Sequence, residues 1–284
     1  MIIDGHTHAY LSEDLEILRQ RLEMLDSELA SDDPNKWSLK SRGDLESLIA
    51  SQEEAGVDQM VLLPVTGKKD RVSELNHWSA QAARKNPRII PFATLHPKGE
   101  AQKDFEEAIE LGLKGIKLHP FIQHFSLTDP LCHKLFDLIS EASLPVLTDT
   151  LSRKGLVKAK PHIKWVMDAF KFHGVTPVQI AEMAKAHPGV KIIAAHGGCL
   201  YGWDQLDPLM KFDNIYLDIS YLNGLIEPEA LVALIRKKGA DRVIYGTDAP
   251  WRSPLEYRRW FDGLSLSKME KQAIQSHTLL SVLN

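Results

Sequence analysis

Between Gly115 and Thr150 the chain reads GIKLHPFIQHFSLTDPLCHKLFDLISEASLPVLTDT. Gly115–His119 is a short apolar run of strand length that ends on a polar residue. Pro130–Ala142 follows as a helix, and Pro145–Asp149 as a second short strand. A strand, a helix and a strand in this order predict two parallel strands joined by a right-handed crossover.

The same alternation extends both ways. Upstream, Ile2–Ile3 lead into His6, Gln59–Pro64 and Arg88–Leu95 read as strands, and Asp44–Ala55, Ser73–Lys85 and Ala101–Leu111 read as helices. Downstream, strands are expected at Lys191–Ala195, Ile215–Ser220 and Arg242–Gly246. Helices are expected at Thr176–Ala186, Asp204–Lys211, Glu229–Lys238, Pro254–Asp262 and Ser267–Leu280. Gly56 and Gly239 stand where helices close, and Thr176-Pro177 where one opens. Eight such pairs predict an α/β chain closed into a (β/α)8 TIM barrel, one domain over residues 1–284. An open doubly wound sheet shares the alternation, but its G-x-G-x-x-G first turn is missing. Two connections are long, Ala9–Gly43 and Thr150–Val175. After parallel strands they belong on the C-terminal face, as candidate lids.

Composition narrows the class. The 284 residues are 44% hydrophobic and 25% charged, which argues against wholesale disorder. A net charge of −4 offers no basic excess for a nucleic-acid partner. No stretch approaches the ~18 consecutive apolar residues of a membrane span. The opening Met1-Ile2-Ile3-Asp4 lacks the basic and apolar regions of a secretory signal, so a cytoplasmic location is expected. Cys132 and Cys199 have no redox or metal spacing and read as two reduced thiols. The expected partner is a small molecule, not nucleic acid or membrane. Homo-oligomerisation is compatible with such a barrel, though no residue pattern specifies it. The aromatics Trp251, Tyr257, Trp260 and Phe261 read as core packing of a late helix.

Parallel strands bring their C-terminal ends to one rim. Polar residues fall there repeatedly: His6 and His8, Lys117 and His119, Asp149, His196 and Asp248. Residues i and i+2 of a strand face the same side, so His6 and His8 can grip one ion together. Imidazoles plus a carboxylate with an open position form the donor set of a catalytic divalent metal, zinc foremost. Taken singly, each residue has a plainer reading: His-x-His by chance, Asp248 as a turn residue, His196 as a satisfied core histidine. Five polar strand ends together do not.

These motifs resemble the amidohydrolase superfamily, in particular its second subfamily, which contains decarboxylases related to aminocarboxymuconate-semialdehyde decarboxylase. The matching stretches are Ile3-Asp4-Gly5-His6-Thr7-His8, Gly115-Ile116-Lys117-Leu118-His119-Pro120 with Gln123 beyond, and Pro145-Val146-Leu147-Thr148-Asp149-Thr150. His196-Gly197-Gly198, Leu217-Asp218-Ile219-Ser220 and Tyr245-Gly246-Thr247-Asp248-Ala249-Pro250 follow in order. The resemblance implies that His6 and His8 bind a metal. It implies that Asp248 binds the metal or takes a proton from its water, and that His196 is a catalytic or ligand histidine. The subfamily usually carries histidine at the fifth strand end, where this chain has Asp149. As a ligand Asp149 would favour harder ions such as manganese or magnesium; as a neighbour it would orient another ligand. Two-metal relatives use a carbamylated lysine on strand four. Lys117 has that place, but the missing fifth-strand histidine favours a single ion. The expected cofactor is therefore one divalent metal, zinc first, with manganese, magnesium or iron as alternatives. Lys117, His119 and Arg153 are then expected to bind substrate, with Lys154 and Arg252 also near the rim; an arginine holds a carboxylate bidentately.

The first functional expectation is hydrolysis of a small amide, lactone or ester by a metal-activated water. The alternative is non-oxidative decarboxylation or hydration of a small carboxylated compound on the same rim. A deoxyribonuclease barrel also starts with His-x-His, but it expects glutamate where Lys117-Leu118-His119 stands. A phosphatase barrel needs Asp-x-His where Asp248-Ala249-Pro250 stands. A barrel that has lost its metal has only Asp149 in its favour.

Overall fold

The computed structural model describes residues 1–30, 33, 36–169, 171–172 and 174–284. Parts of the expected lid segments 9–43 and 150–175, at Ser31, Asp32, Pro34, Asn35, Phe170 and His173, lie outside the described residues. Among the described residues, seven strands run uninterrupted: β1 (Ile3–Thr7), β2 (Gln59–Leu62), β4 (Ile116–Leu118), β5 (Val146–Thr148), β6 (Ile192–Ala194), β7 (Ile215–Asp218) and β8 (Val243–Ile244). The expected strand at 88–95 is β3, broken at Phe92 into Ile89–Pro91 and Ala93–Thr94. Its first half pairs with β2 and its second with β4, all in parallel. Pro91, with no N–H to give, stands at the break.

The barrel closes between its first and last strands. The Gly5 amide donates to the Tyr245 carbonyl at 2.8 Å, the Asp248 amide to the His6 carbonyl at 2.8 Å, and the His8 amide to the Ala249 carbonyl at 2.7 Å. The (β/α)8 expectation therefore holds, and the open sheet does not.

Side chains fill the interior in layers. Val61, Phe92, Leu147, Ile193, Tyr216 and Ile244 form an apolar floor, joined from below by Leu279 and Val282 of the helix Thr278–Leu283. Gly115 makes room for the Phe92 ring: a Cβ there would sit 2.4 Å from it. Two residues further along three of the strands the lining turns polar. Lys117 follows Gly115, Asp149 follows Leu147, and Asp218 follows Tyr216 on the same face. The floor supplies stability, and the layer above it supplies the candidate site.

Several helices differ from expectation. Asp204–Lys211 forms two 3-10 turns, Trp203–Gln205 and Asp207–Lys211, because Pro208 cannot donate back into a continuous helix. The closing helix is interrupted by a π-turn at Ala273–His277. Tyr257 and Phe261 are fully buried, as core packing requires. Cys132 and Cys199 are free and buried. Among the described residues, no helix is long and apolar enough to cross a membrane.

The two long connections cover the C-terminal mouth. The first carries the helix Ser12–Leu25, held down where Arg71 pairs with Glu13 at 2.5 Å and Asp14 at 2.7 Å. The second carries the helices Arg153–Ala159 and Lys164–Ala169. They are fastened to each other: His162 Nε2 lies 3.2 Å from Asp26 Oδ1, and Lys160 Nζ sits 4.8 Å from the Trp37 ring centre.

Candidate metal centre and active site

His6 and His8 meet at the end of β1, their Nε2 atoms 3.1 Å apart. Asp248 Oδ1, from the segment after β8, lies 3.3 Å from His8 Nε2 and 3.6 Å from His6 Nε2. Three donors each ~2.0–2.2 Å from one zinc at tetrahedral angles would be spaced about 3.3 Å apart. The spacing of this triad therefore fits a single ion. The far nitrogens are committed elsewhere. His8 Nδ1 is 2.8 Å from the Leu63 carbonyl, so it donates there and leaves Nε2 as an acceptor. His6 Nδ1 donates to Asp218 Oδ2 at 2.8 Å. Burial, aided by nearby Lys117, pushes His6 down to about 4, which keeps its Nε2 lone pair available to a metal at neutral pH.

A second group abuts the first. Asp149 Oδ2 lies 2.9 Å from Lys117 Nζ and 3.3 Å from His119 Nε2, while its Oδ1 lies 3.2 Å from His196 Nε2. His6, Asp149 and His196 make a second set close enough to hold an ion, sharing His6 with the triad. Burial disfavours charge on Asp149, but His119, Lys117 and His196 outweigh it and hold the carboxyl well below its usual range. Burial likewise pulls His196 down, but the Asp149 carboxylate overrides it and lifts the imidazole to about 9. His196 thus carries a proton on both nitrogens: Nε2 donates to Asp149, and Nδ1 faces the Ser220 carbonyl at 3.2 Å. Asp248, opposed by burial, is held below the ordinary carboxylate range by the neighbouring imidazoles of His8, His6 and His196.

Local backbone serves these positions. His196 and Asp248 both adopt left-handed φ, 57° and 65°, a conformation that non-glycine residues hold only when their surroundings fix it. The His6 carbonyl accepts the Asp248 amide, and Asp218 holds His196. Asp218 Oδ1 accepts the backbone N–H of His196 at 3.0 Å and of Ser220 at 2.9 Å, while its Oδ2 orients His6.

Six expected site residues, His6, His8, Lys117, His119, Asp149 and His196, therefore converge with the seventh, Asp248. Arg153 does not join them. It opens a lid helix and forms an ion pair with Asp168 on the exposed side. The cation nearest the aromatic wall of the mouth is Arg252 instead, 4.0 Å over the Tyr221 ring, and Tyr221 packs edge-on against His196. The sequence reading gave no role to Asp218 or Ser220. The available signal was two polar residues at i and i+2 on a strand end.

An amidohydrolase family model matches residues 3–278. The chain belongs to the amidohydrolase family. Solved structures share the fold of this amidohydrolase over nearly its whole length. An uncharacterized TIM-barrel protein from Bordetella bronchiseptica is 19% identical, with TM-score 0.73, covering 99% of this chain and 98% of that one. The 5-carboxyvanillate decarboxylase of Sphingomonas paucimobilis is 17% identical, with TM-score 0.73 and the same coverages, 99% and 98%. A dihydroxybenzoic acid decarboxylase from Polaromonas sp. JS666, solved with bound manganese and 2-nitroresorcinol, is 18% identical, with TM-score 0.71, covering 99% of this amidohydrolase and 96% of that chain. A search of curated proteins found no match.

Proposed function

We propose that this amidohydrolase is a metal-dependent, non-oxidative decarboxylase of a small carboxylated compound. Hydrolysis of an amide, lactone or ester was the first expectation from sequence; the decarboxylases among the structural relatives support the alternative better. The observation that carries this reading is the placement of His196, held by Asp149 and Ser220, beside the His6–His8–Asp248 triad. Loss of CO2 breaks a C–C bond and leaves its electron pair on carbon, so the product needs one proton at that carbon. His196 holds such a proton, and Asp149 and Ser220 fix the ring that carries it.

The proposed ion site is His6, His8 and Asp248, and manganese is the ion we propose for it. Bound there, a divalent ion would supply positive charge to anionic substrate oxygens. Asp218 and the Leu63 carbonyl orient the two imidazoles, and Asp149 sets the protonation of His196. Lys117 balances the Asp149 charge from inside the barrel, while burial pushes His119 down to about 4, so its neutral imidazole beside Asp149 is the group left to contact a substrate.

The test is a panel of hydroxybenzoates and aliphatic acids, alongside lactones and esters, offered to manganese-loaded protein. Release of CO2, with one deuterium entering the product at the vacated carbon in D2O, is expected. Replacing His196 by Gln should lower kcat by ~100-fold or more. Turnover of a lactone or ester without CO2 from any acid would overturn the reading.

A further inference from the structure

Beside the metal centre, the mouth holds a cavity of about 310 Å³ between the two lids and the last barrel loops. Among the described residues its lining includes Lys36, Lys40, Lys160 and Arg252 and no Asp or Glu, with Asp26 and Asp33 near enough to act on the Lys160 charge. In a chain whose net charge is −4, Lys36, Lys40 and Arg252 around one small cavity mark it as a place for an anion. Aromatic walls from Tyr201, Tyr221 and Trp251 suit a flat scaffold.

Arg252 is the decisive residue. Its guanidinium lies over the Tyr221 ring at 4.0 Å, so one face is occupied and the edge is left for other partners. Along that edge, Nη2 makes only a long 3.4 Å contact to the Tyr221 carbonyl, and Nε is buried with no hydrogen-bond partner among the described residues. A buried N–H without a partner is costly, and a guanidinium edge matches the two oxygens of a carboxylate. The position is tied to the candidate site on both sides. Tyr221 packs against His196, and Trp251 donates to the Tyr10 hydroxyl at 3.2 Å while Tyr10 stacks on His8.

We propose that Arg252, with Lys36 and Lys40 beside the same cavity, is a second anion subsite, and that the substrate carries a second carboxylate besides the one at the metal centre. This rests on the decarboxylase reading for the first carboxylate only; the second is held whatever the chemistry.

Binding rather than turnover tests it. Manganese-loaded protein is titrated calorimetrically with benzoate, isophthalate and terephthalate, which offer one carboxylate or two at two spacings. At least one dicarboxylate should bind 10-fold or more tightly than benzoate. Arg252→Gln should erase that preference while moving benzoate affinity less than 3-fold, and Arg252→Lys should restore part of it. Equal binding of all three by the parent protein overturns the subsite, as does failure of all three to bind; neither result depends on how Arg252 variants fold. Preference for inorganic phosphate over both dicarboxylates would also overturn the second-carboxylate claim. CO2 release from monocarboxylates alone, with no dicarboxylate preference, would sink this proposal and leave the decarboxylase reading standing. A dicarboxylate preference without CO2 release from any acid would do the reverse.

Discussion

Lys117 Nζ, shut off from solvent in the barrel, stands 2.9 Å from Asp149 Oδ2 and 3.3 Å from His6 Nε2. One side chain therefore links the acid that departs from the subfamily pattern to the histidine shared by both candidate ion sets. Removing one partner of a buried pair costs ~3–5 kcal/mol, because the other charge is left uncompensated. Lys117→Met should lower stability by about that amount in urea denaturation. The double variant Lys117→Met, Asp149→Leu should recover most of it. Equal stabilities of the single and double variants would show that the two groups are not coupled.

Asp218 is expected to act on the metal without touching it. Asp218→Asn keeps the shape but weakens the hold on His6 Nδ1, and loss of such a partner typically costs 10–100-fold in metal affinity. Competition against a chromogenic chelator would measure this. His6→Ala, which removes a donor outright, should lose more. Wild-type manganese affinity in Asp218→Asn would remove His6 from the ligand set.

Asp149 occupies the place where a histidine donor was expected, and a nitrogen donor there favours zinc over manganese. Asp149→His should shift metal content towards zinc when the protein is loaded from an equimolar mixture and measured by elemental mass spectrometry. Unchanged selectivity would show that a side chain at position 149 does not reach the ion.

Lys238 gives a pH-dependent test far from the metal centre. It donates to the Leu209 and Phe212 carbonyls, each at 2.9 Å, and burial pushes it down to about 8. The unfolded chain keeps its proton up to about 10.4, so between these values the unfolded state binds more protons than the folded one. The Lys238 contribution to stability therefore rises with pH across that window. The difference in unfolding free energy between the parent and Lys238→Met should grow from pH 8 to pH 10. A flat difference would mean that the amine titrates normally.

The barrel and most of its rim are legible in the sequence, because strand ends in a parallel barrel share one address. His6, His8, Lys117, Asp149, His196 and Asp248 all obey that rule. Arg153 does not, because it belongs to a loop, and nothing in a loop's sequence states which way a long side chain turns; Asp168, fifteen positions on, decides it. The break in β3 was hidden because its two halves together read as one apolar run. Asp218 and Ser220 were visible as polar residues, but their task, orienting others rather than meeting a ligand, appears only when the barrel brings the ends of β1 and β7, 212 positions apart at His6 and Asp218, to one rim, with His6 and His196 both within reach.

The clasp between His162 and Asp26 joins covers that arise from β1 and β5, far apart around the barrel. Each cover is fastened to the other as well as to its own strand. A molecule passing through the mouth thus meets a double door whose leaves are latched to each other at His162–Asp26 and again at Lys160–Trp37. Loosening either leaf at this point would speed exchange through the whole entrance, and turnover limited by product departure would respond to residues that never approach the metal centre.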